Sequence, residues 1–215
     1  MKYFGTVLMV ILFCCSGCMY HGNLKEDQFP PSNGDNKLPI KAFMVFDKSI
    51  EESAFHANNV HWGHGVVIAT KPGLKAAIRS SFESTFQELR ISDKINLQDL
   101  SNYDVIIIPR IQMIGPVIDV SVTLKDAKTD DILQTYKSSG NFYVTVPTSV
   151  HIIGIINVVP FCFLTSPIIT PLITDIIGRQ AETDMANILH HLLNTIADDI
   201  KNDRKLVNRF NLQRK

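Results

Sequence analysis

The chain has 215 residues, of which 45% are hydrophobic, and its 21 basic and 21 acidic residues give a formal net charge of zero at pH 7. A chain of this length can form one domain with a substantial core. Its charge balance argues against a protein that binds a polyanion through overall charge, so no nucleic-acid partner is expected.

The N-terminus has the pattern of an export signal. Lys2 provides a positive start, and the stretch from Tyr3 to Phe13 is almost entirely apolar. A run of this length matches the apolar region of a signal peptide and is too short to span a bilayer as a helix. Ser16 and Gly17 are small residues of the kind that a signal peptidase accepts at its cleavage site.

Three of the four cysteines follow this run within five positions, at Cys14, Cys15 and Cys18, and the fourth is Cys162. A zinc site would need a second pair of ligands nearby. A disulfide framework would need spaced partners, which a single distant cysteine does not supply. Both uses of the cluster are therefore disfavoured.

Cys15-Ser16-Gly17-Cys18 resembles the lipobox of bacterial lipoprotein precursors, in which a small pair precedes an invariant cysteine. The family prefers an aliphatic residue where this chain has Cys15, and cysteine is itself a small hydrophobe by packing. The resemblance implies cleavage after Gly17, with diacylglycerol on the Cys18 sulfur and an acyl chain such as palmitate on its amino group. In Gram-negative lipoproteins an Asp after the cysteine commonly causes inner-membrane retention. Met19 therefore implies the outer membrane.

The next segment, 18–39, is polar and rich in Asn, Gly, Pro and Lys, which predicts a flexible tether. Ile40 to Phe46 is predicted as a strand, 51–65 as a loop, and Val66 to Ala69 as a second strand. Pro72 is placed where a helix would begin. An amphipathic helix is predicted from there because apolar residues recur at helical spacing, at Leu74, Ile78, Phe82, Phe86 and Leu89.

Asp104 to Pro109 reads as a strand buried on both faces. Alternation predicts a further strand at Ile118, Val120, Val122 and Leu124, a hairpin partner at Ile132 to Tyr136, and another alternating stretch at Phe142, Val144 and Val146. A long second helix is predicted from an apolar stripe at Ala181, Met185, Ile188, Leu192, Ile196 and Ile200, with Glu182, Asp198 and Asp199 on its exposed face.

These elements predict an α+β domain over 40–203, in which a small mixed or antiparallel sheet carries two amphipathic helices on one face. A signal peptide (1–17) and the tether (18–39) precede it, and a basic tail (204–215) follows. The element order, with its hairpin pattern between Tyr103 and Thr135, resembles small periplasmic domains of envelope-assembly lipoproteins, such as the curli secretion and lipopolysaccharide-transport lipoproteins. A likeness of fold does not carry function.

An apolar block at about 148–177 interrupts the domain, and no charged residue lies between Lys137 and Asp175. It is long enough to cross a bilayer, but Pro160, Pro167 and Pro171 disfavour a straight spanning helix. Three alternatives remain: a segment that fills the core, a broken or re-entrant piece that dips into the membrane, or strands of an oligomeric barrel.

Sites for chemistry are few. His56, His61 and His64 lie around Trp62 in a short stretch that could bind a metal ion. Nucleophile-elbow and Gly-rich phosphate-binding motifs are absent from the sequence, and Cys162 has the apolar neighbours of an unreactive thiol. We therefore expect no enzyme and no cofactor. The basic tail has two interpretations: contact with anionic head groups, or a frayed helix terminus.

The sequence as a whole predicts a lipid-anchored outer-membrane protein that faces the periplasm and acts as a non-enzymatic binding or assembly module. Its partners would be membrane lipid, through Cys18, and a protein of the cell envelope; homo-oligomerisation is left open. One alternative is a membrane-inserting oligomeric subunit of a secretion or transport system that uses residues 150–177. Another is a metal-binding lipoprotein that uses His56, His61 and His64.

Overall fold

In a computed structural model of the protein, the residues described are 19–31, 37–46, 53–61, 64–93, 100–148, 150 and 162–212. Their strands are β1 (Met19–Asn23), β2 (Leu38–Val45), β3 (Ala54–His61), β4 (His64–Ala69), β5 (Phe86–Ser92), β6 (Val105–Ile114), β7 (Val117–Asp126) and β8 (Ile132–Asn141). Their helices are α1 (Gly73–Glu83), α2 (Cys162–Asn202) and α3 (Arg204–Leu212). The predicted α+β class is confirmed.

The larger of two compact units contains the five-stranded sheet, in the order β5-β2-β6-β7-β8. Strands β5, β2 and β6 are parallel, and β6, β7 and β8 form an antiparallel meander. The predicted alternation in β7 is confirmed, because Ile118, Val120, Val122 and Leu124 are at most 1% exposed. The predicted buried strand is also confirmed: Val105 and Ile107 of β6 are fully buried.

The smaller unit contains a three-stranded sheet in the order β1-β4-β3, with β3 and β4 antiparallel. The predicted loop at 51–65 is wrong where the structure describes it, since Ala54–His61 and the start of β4 are strands. Phe55 is buried and its neighbour His56 is exposed, which is the period-two pattern of a strand. Small and polar residues with low strand propensity conceal that pattern in the sequence.

The first helix ends at Glu83, so the prediction that it continues to Leu89 is wrong. The Thr85 amide donates to the Phe82 carbonyl at 3.0 Å and closes the last turn. Phe86 and Leu89 belong to β5, where they pair with Leu38 and Ala42 of β2. The three-residue spacing of Phe86 and Leu89 is typical of a helix, and their pairing with β2 overrides that local pattern.

The segment predicted as a tether contains regular structure at both ends. Met19–Asn23 form β1, and Leu38 and Pro39 already belong to β2. Between them, Leu24 and Phe29 are 0% and 4% exposed. The Gly73 amide donates to the Leu24 carbonyl at 2.9 Å, and a side chain at Gly73 would collide with Leu24. The described part of 18–39 is therefore packed into the fold, and it does not form the tether that the sequence predicts.

Helix α2 has the predicted apolar stripe, with Ala181, Met185, Leu192, Ile196 and Ile200 buried. Asp198 and Asp199 are exposed as predicted. Glu182 is not: it is only 4% exposed, so its predicted place on the solvent face is wrong. The alternating stretch after Phe142 is also not a strand, since 142–147 have no regular structure.

Candidate functional site

The predicted lipid-attachment residue, Cys18, and the predicted cleavage position, Gly17, lie outside the described residues. The next residue, Met19, is the first residue of β1. Strand β1 lies at the edge of the three-stranded sheet, beside β4. A Cβ atom at Gly65 of β4 would come within 2.6 Å of the Met19 sulfur. The Met19 side chain therefore lies on Gly65.

Tyr20 fixes β1 to α2 within the smaller unit. Its hydroxyl donates to Glu182 Oε1 at 2.9 Å, and its ring lies against Gly178, where a Cβ atom would overlap ring carbons. A Cβ atom at Gly22 would likewise overlap the Glu182 carboxylate. Burial, followed by the hydrogen bond to Glu182 and its charge, raises the pKa of Tyr20 to about 12. Gly178 and the buried carboxylate of Glu182 thus form a seat for Tyr20, and Gly22 lets β1 approach that carboxylate closely.

Sequence reasoning missed this seat because it placed Glu182 on the solvent face. A usable signal exists: Glu182 lies four residues after Gly178 and three before Met185, and both of these are buried. Residues three and four apart share one helix face. A carboxylate in that stripe needs a buried donor, and Tyr20 supplies it.

The three histidines lie on neighbouring strands of one sheet. His56 is exposed on β3 and pairs with Val67, whereas His61 and His64 are direct Cα partners where β3 and β4 meet. Val67 and His64 are three residues apart on β4, which places His56 roughly 10 Å from the His61–His64 pair along the sheet. Within the part of the chain that the structure describes, no three His, Cys, Asp or Glu residues are grouped for a metal ion. Trp62 lies outside the described residues.

The apolar block is described only in part, because 151–161 lie outside the described residues. Its second half is helical, since α2 begins at Cys162 and runs through Pro167 and Pro171. Ile173 and Ile177 are 4% and 0% exposed. Of the helices that the structure describes, none combines the length and apolarity needed to span a bilayer.

The basic tail forms helix α3 within the larger unit. Asp203 accepts from the amides of Lys205 and Leu206, which caps α3, and from the Tyr136 hydroxyl at 2.7 Å. Arg209 Nη2 lies 2.9 Å from Oδ2 of the buried Asp126. Leu206 and Phe210 are buried. The described tail is therefore a docked helix rather than a frayed terminus.

Two depressions lie in the larger unit. A cavity of about 240 Å³ lies along α1, where Lys75 and Arg79 line it together with Phe29. Lys75 pairs with Asp93 at 3.1 Å and Arg79 with Glu83 at 3.6 Å, so acidic partners balance the charge of these two cations. A groove of about 380 Å³ crosses β6, β7 and β8 and is lined by polar side chains that include Gln112, Asp119, Ser121, Lys137 and Ser139. Both are candidate contact surfaces.

No known protein family matches the sequence, and no curated protein does. Among solved structures, a DUF330 protein from Xanthomonas campestris is similar at 9% identity and TM-score 0.38, covering 80% of this chain and 99% of that one. A PelC dodecamer from Paraburkholderia phytofirmans is similar at 10% identity and TM-score 0.33, covering 72% and 95%. A second PelC dodecamer structure from the same organism has 11% identity and TM-score 0.32, covering 71% and 92%. Likenesses this low establish no shared function.

Proposed function

We propose that the protein is a lipid-anchored lipoprotein of the periplasmic face of the outer membrane, and that it acts as a non-enzymatic binding or assembly module. The observation that carries the proposal is the lipobox Cys15-Ser16-Gly17-Cys18 after a short apolar run, followed without a spacer by β1. Met19 supports the outer-membrane destination through the same family resemblance.

Acylation of Cys18 would provide the membrane attachment. Each buried CH₂ group contributes about 0.8 kcal/mol, so one chain gives marginal binding and several chains on one residue give a stable anchor. Because Met19 is already part of β1, this anchor would hold a folded sheet close to the bilayer. That geometry replaces the long reach that a flexible tether would have provided.

The larger unit provides surfaces for a protein partner. Strand β8 ends the sheet order β5-β2-β6-β7-β8, so its outer side is an edge in the described structure. Edge strands present main-chain donors and acceptors to a second chain. Ile132, at the start of β8, is 66% exposed. The polar groove over β6, β7 and β8 adjoins this edge and supplies side chains for selectivity.

Four aspartates make structural hydrogen bonds, and this supports a non-enzymatic role. Asp104 accepts from the Lys41 amide at 2.8 Å and Asp184 from the Thr145 amide at 2.7 Å. Asp126 and Asp203 hold a turn and a helix start, and both have a lowered pKa. At Asp126 burial opposes the shift, and the amides of Lys128 and Thr129 together with Arg209 outweigh it. At Asp203 the hydrogen bond from the Tyr136 hydroxyl lowers the pKa most, and the amides of Lys205 and Leu206 add to it against burial. A lowered pKa keeps Asp126 and Asp203 ionised at neutral pH, whereas a general acid or base must gain and lose a proton.

The test is mass spectrometry of the N-terminal tryptic peptide, Cys18 to Lys25, from protein produced in a Gram-negative host. We expect the mass of diacylglycerol plus one acyl chain on Cys18. The matched control is Cys18→Ala behind an ordinary cleavable signal, which should be recovered soluble in the periplasm. An unmodified Cys18, or a chain that retains residues 1–17, would overturn the proposal.

The same control tests the membrane-inserting alternative. Cys18→Ala protein that stays with membranes after an alkaline wash would show that residues 150–177 insert by themselves. The burial of Ile173 and Ile177 favours the core interpretation for the part that the structure describes. The metal-binding alternative through His56, His61 and His64 stays a prediction, which metal analysis of the purified protein and of its His61→Ala variant would test.

A further inference from the structure

The three-stranded sheet contains no formal charge. No Asp, Glu, Lys or Arg occurs in β1, β3 or β4, and none lies between Ser53 and Thr70. Every strand of the five-stranded sheet has at least one charged residue, for example Lys41 in β2 and Lys137 in β8. A surface without charges can approach a region of low dielectric without the desolvation cost that ions incur.

One end of this uncharged sheet is the end that would bear the lipid. Met19, the first residue of β1, lies on Gly65 at the start of β4. The preceding residue of β4, His64, is the Cα partner of His61. The lipid-bearing end of β1 and the connection from β3 to β4 therefore lie at the same end of the sheet. The Ala54–Ala69 pair marks the opposite end.

We propose that this end of the sheet, formed by Met19, Gly65 and the His61–His64 pair, is a membrane-contact surface that rests on the head-group layer of the bilayer. The inference rests on the proposed function, because the acyl chains of Cys18 hold the surface there. The link is one peptide bond long, since Cys18 is bonded to Met19, and consecutive Cα atoms are about 3.8 Å apart. This short link keeps Met19, and the end of the sheet that contains it, next to the lipid.

Two further features favour a lipid bilayer as the partner of this surface. Met19 is 46% exposed, so an apolar side chain lies beside the anchor. Trp62, the only tryptophan of the chain, is bonded to His61, and tryptophan is the residue type that favours the head-group region. The Tyr20 seat holds β1 in place on α2, so the anchor acts on a fixed strand.

The experiment uses the lipidated protein reconstituted into phosphatidylcholine vesicles, with and without bromine on the acyl chains near the head group. Bromine quenches tryptophan fluorescence at short range, so Trp62 reports on this end of the sheet. The matched control is Trp62→Phe combined with His56→Trp, which moves the single tryptophan to an exposed position on β3. Its partner on β4, Val67, is three residues from His64, so that position is roughly 10 Å further along the sheet.

We expect quenching of Trp62 to exceed that of the tryptophan at position 56 by about twofold or more, because the displacement is about a third of the thickness of a hydrocarbon core. Equal quenching, or stronger quenching at position 56, would overturn the proposal, provided that the circular dichroism of the two proteins matches. Mass spectrometry of the Cys18 peptide on the same samples separates the two failures. Lipid with weak Trp62 quenching overturns only the contact surface, whereas absence of lipid overturns the proposed function and the surface together.

Discussion

Gly178 provides the sharpest test of how β1 is held. An alanine there places a methyl group where the Tyr20 ring lies, and the overlap involves Cγ, Cδ1 and Cδ2, the ring carbons nearest the backbone. The ring therefore has to leave its seat rather than tilt. When it leaves, the hydroxyl donor at 2.9 Å from Glu182 is lost, and that carboxylate is only 4% exposed.

The expected cost follows from three contributions. Loss of a hydrogen bond to a charged group costs about 1.5–3 kcal/mol. Loss of the packing of a half-buried aromatic ring costs about 1–2 kcal/mol. Replacing glycine by alanine inside a helix returns about 1 kcal/mol. Gly178→Ala should therefore lower the free energy of unfolding by about 2–3 kcal/mol, although the same substitution at an unobstructed helix position would raise it.

The assay is urea unfolding of the soluble Cys18→Ala protein, followed by far-ultraviolet circular dichroism and by Trp62 fluorescence. The matched comparison is Gly178→Ala in a Tyr20→Ala background, where the ring is absent and the methyl group has space. There the substitution should stabilise by about 1 kcal/mol, so the sign reverses between the two backgrounds. Stabilisation by Gly178→Ala in the presence of Tyr20 would refute the seat.

Three further predictions concern the same contacts. The pKa of Tyr20 is raised from 10.0 to about 12, so its contribution to stability is complete below pH 10 and is lost as the pH rises through 12. Tyr20→Phe should therefore remove a tyrosinate absorbance step near pH 12. A step that persists in this variant would contradict the prediction. Tyr136→Phe should lower the free energy of unfolding by about 1 kcal/mol at neutral pH. Since the pKa of Asp203 lies below 3.8, that difference should shrink as the pH falls below this value, which acid titration of both proteins would measure; a difference independent of pH would be the contrary result. Arg209→Ala should destabilise by about 1 kcal/mol in urea, because it leaves the buried Asp126 without its cation, whereas Arg204→Ala at an exposed position of the same helix should have little effect. Equal effects of the two arginine variants would show that the contact between Arg209 and Asp126 adds nothing to the free energy of unfolding.

Elements with a strong local pattern could be predicted from the sequence. In β7, four apolar residues alternate with polar ones, and the structure buries every one of the four. The stripe of α2 from Ala181 to Ile200 likewise matches its buried face. Each pattern lies within a single segment and does not depend on which partner that segment packs against. The lipobox-like sequence Cys15-Ser16-Gly17-Cys18 is a local pattern of the same kind, and its processing stays a prediction.

Elements defined by a distant partner could not be predicted. Phe86 and Leu89 have the spacing of a helix, and pairing with β2 makes them a strand. Met19–Asn23 looks like a polar tether, and its place beside β4 makes it β1. Main-chain hydrogen bonds between strands are available to almost any side chain, so tertiary pairing overrides weak local propensity.

The candidate surface combines both kinds of information. The sequence by itself determined the predicted lipid anchor at Cys18 and the absence of charge from Ser53 to Thr70. Only the tertiary structure decided that Met19 lies on Gly65, and that Glu182 is buried beneath Tyr20 rather than exposed on α2. Charge and covalent attachment are properties of the residues themselves. Contact and burial arise only when segments far apart in the chain come together.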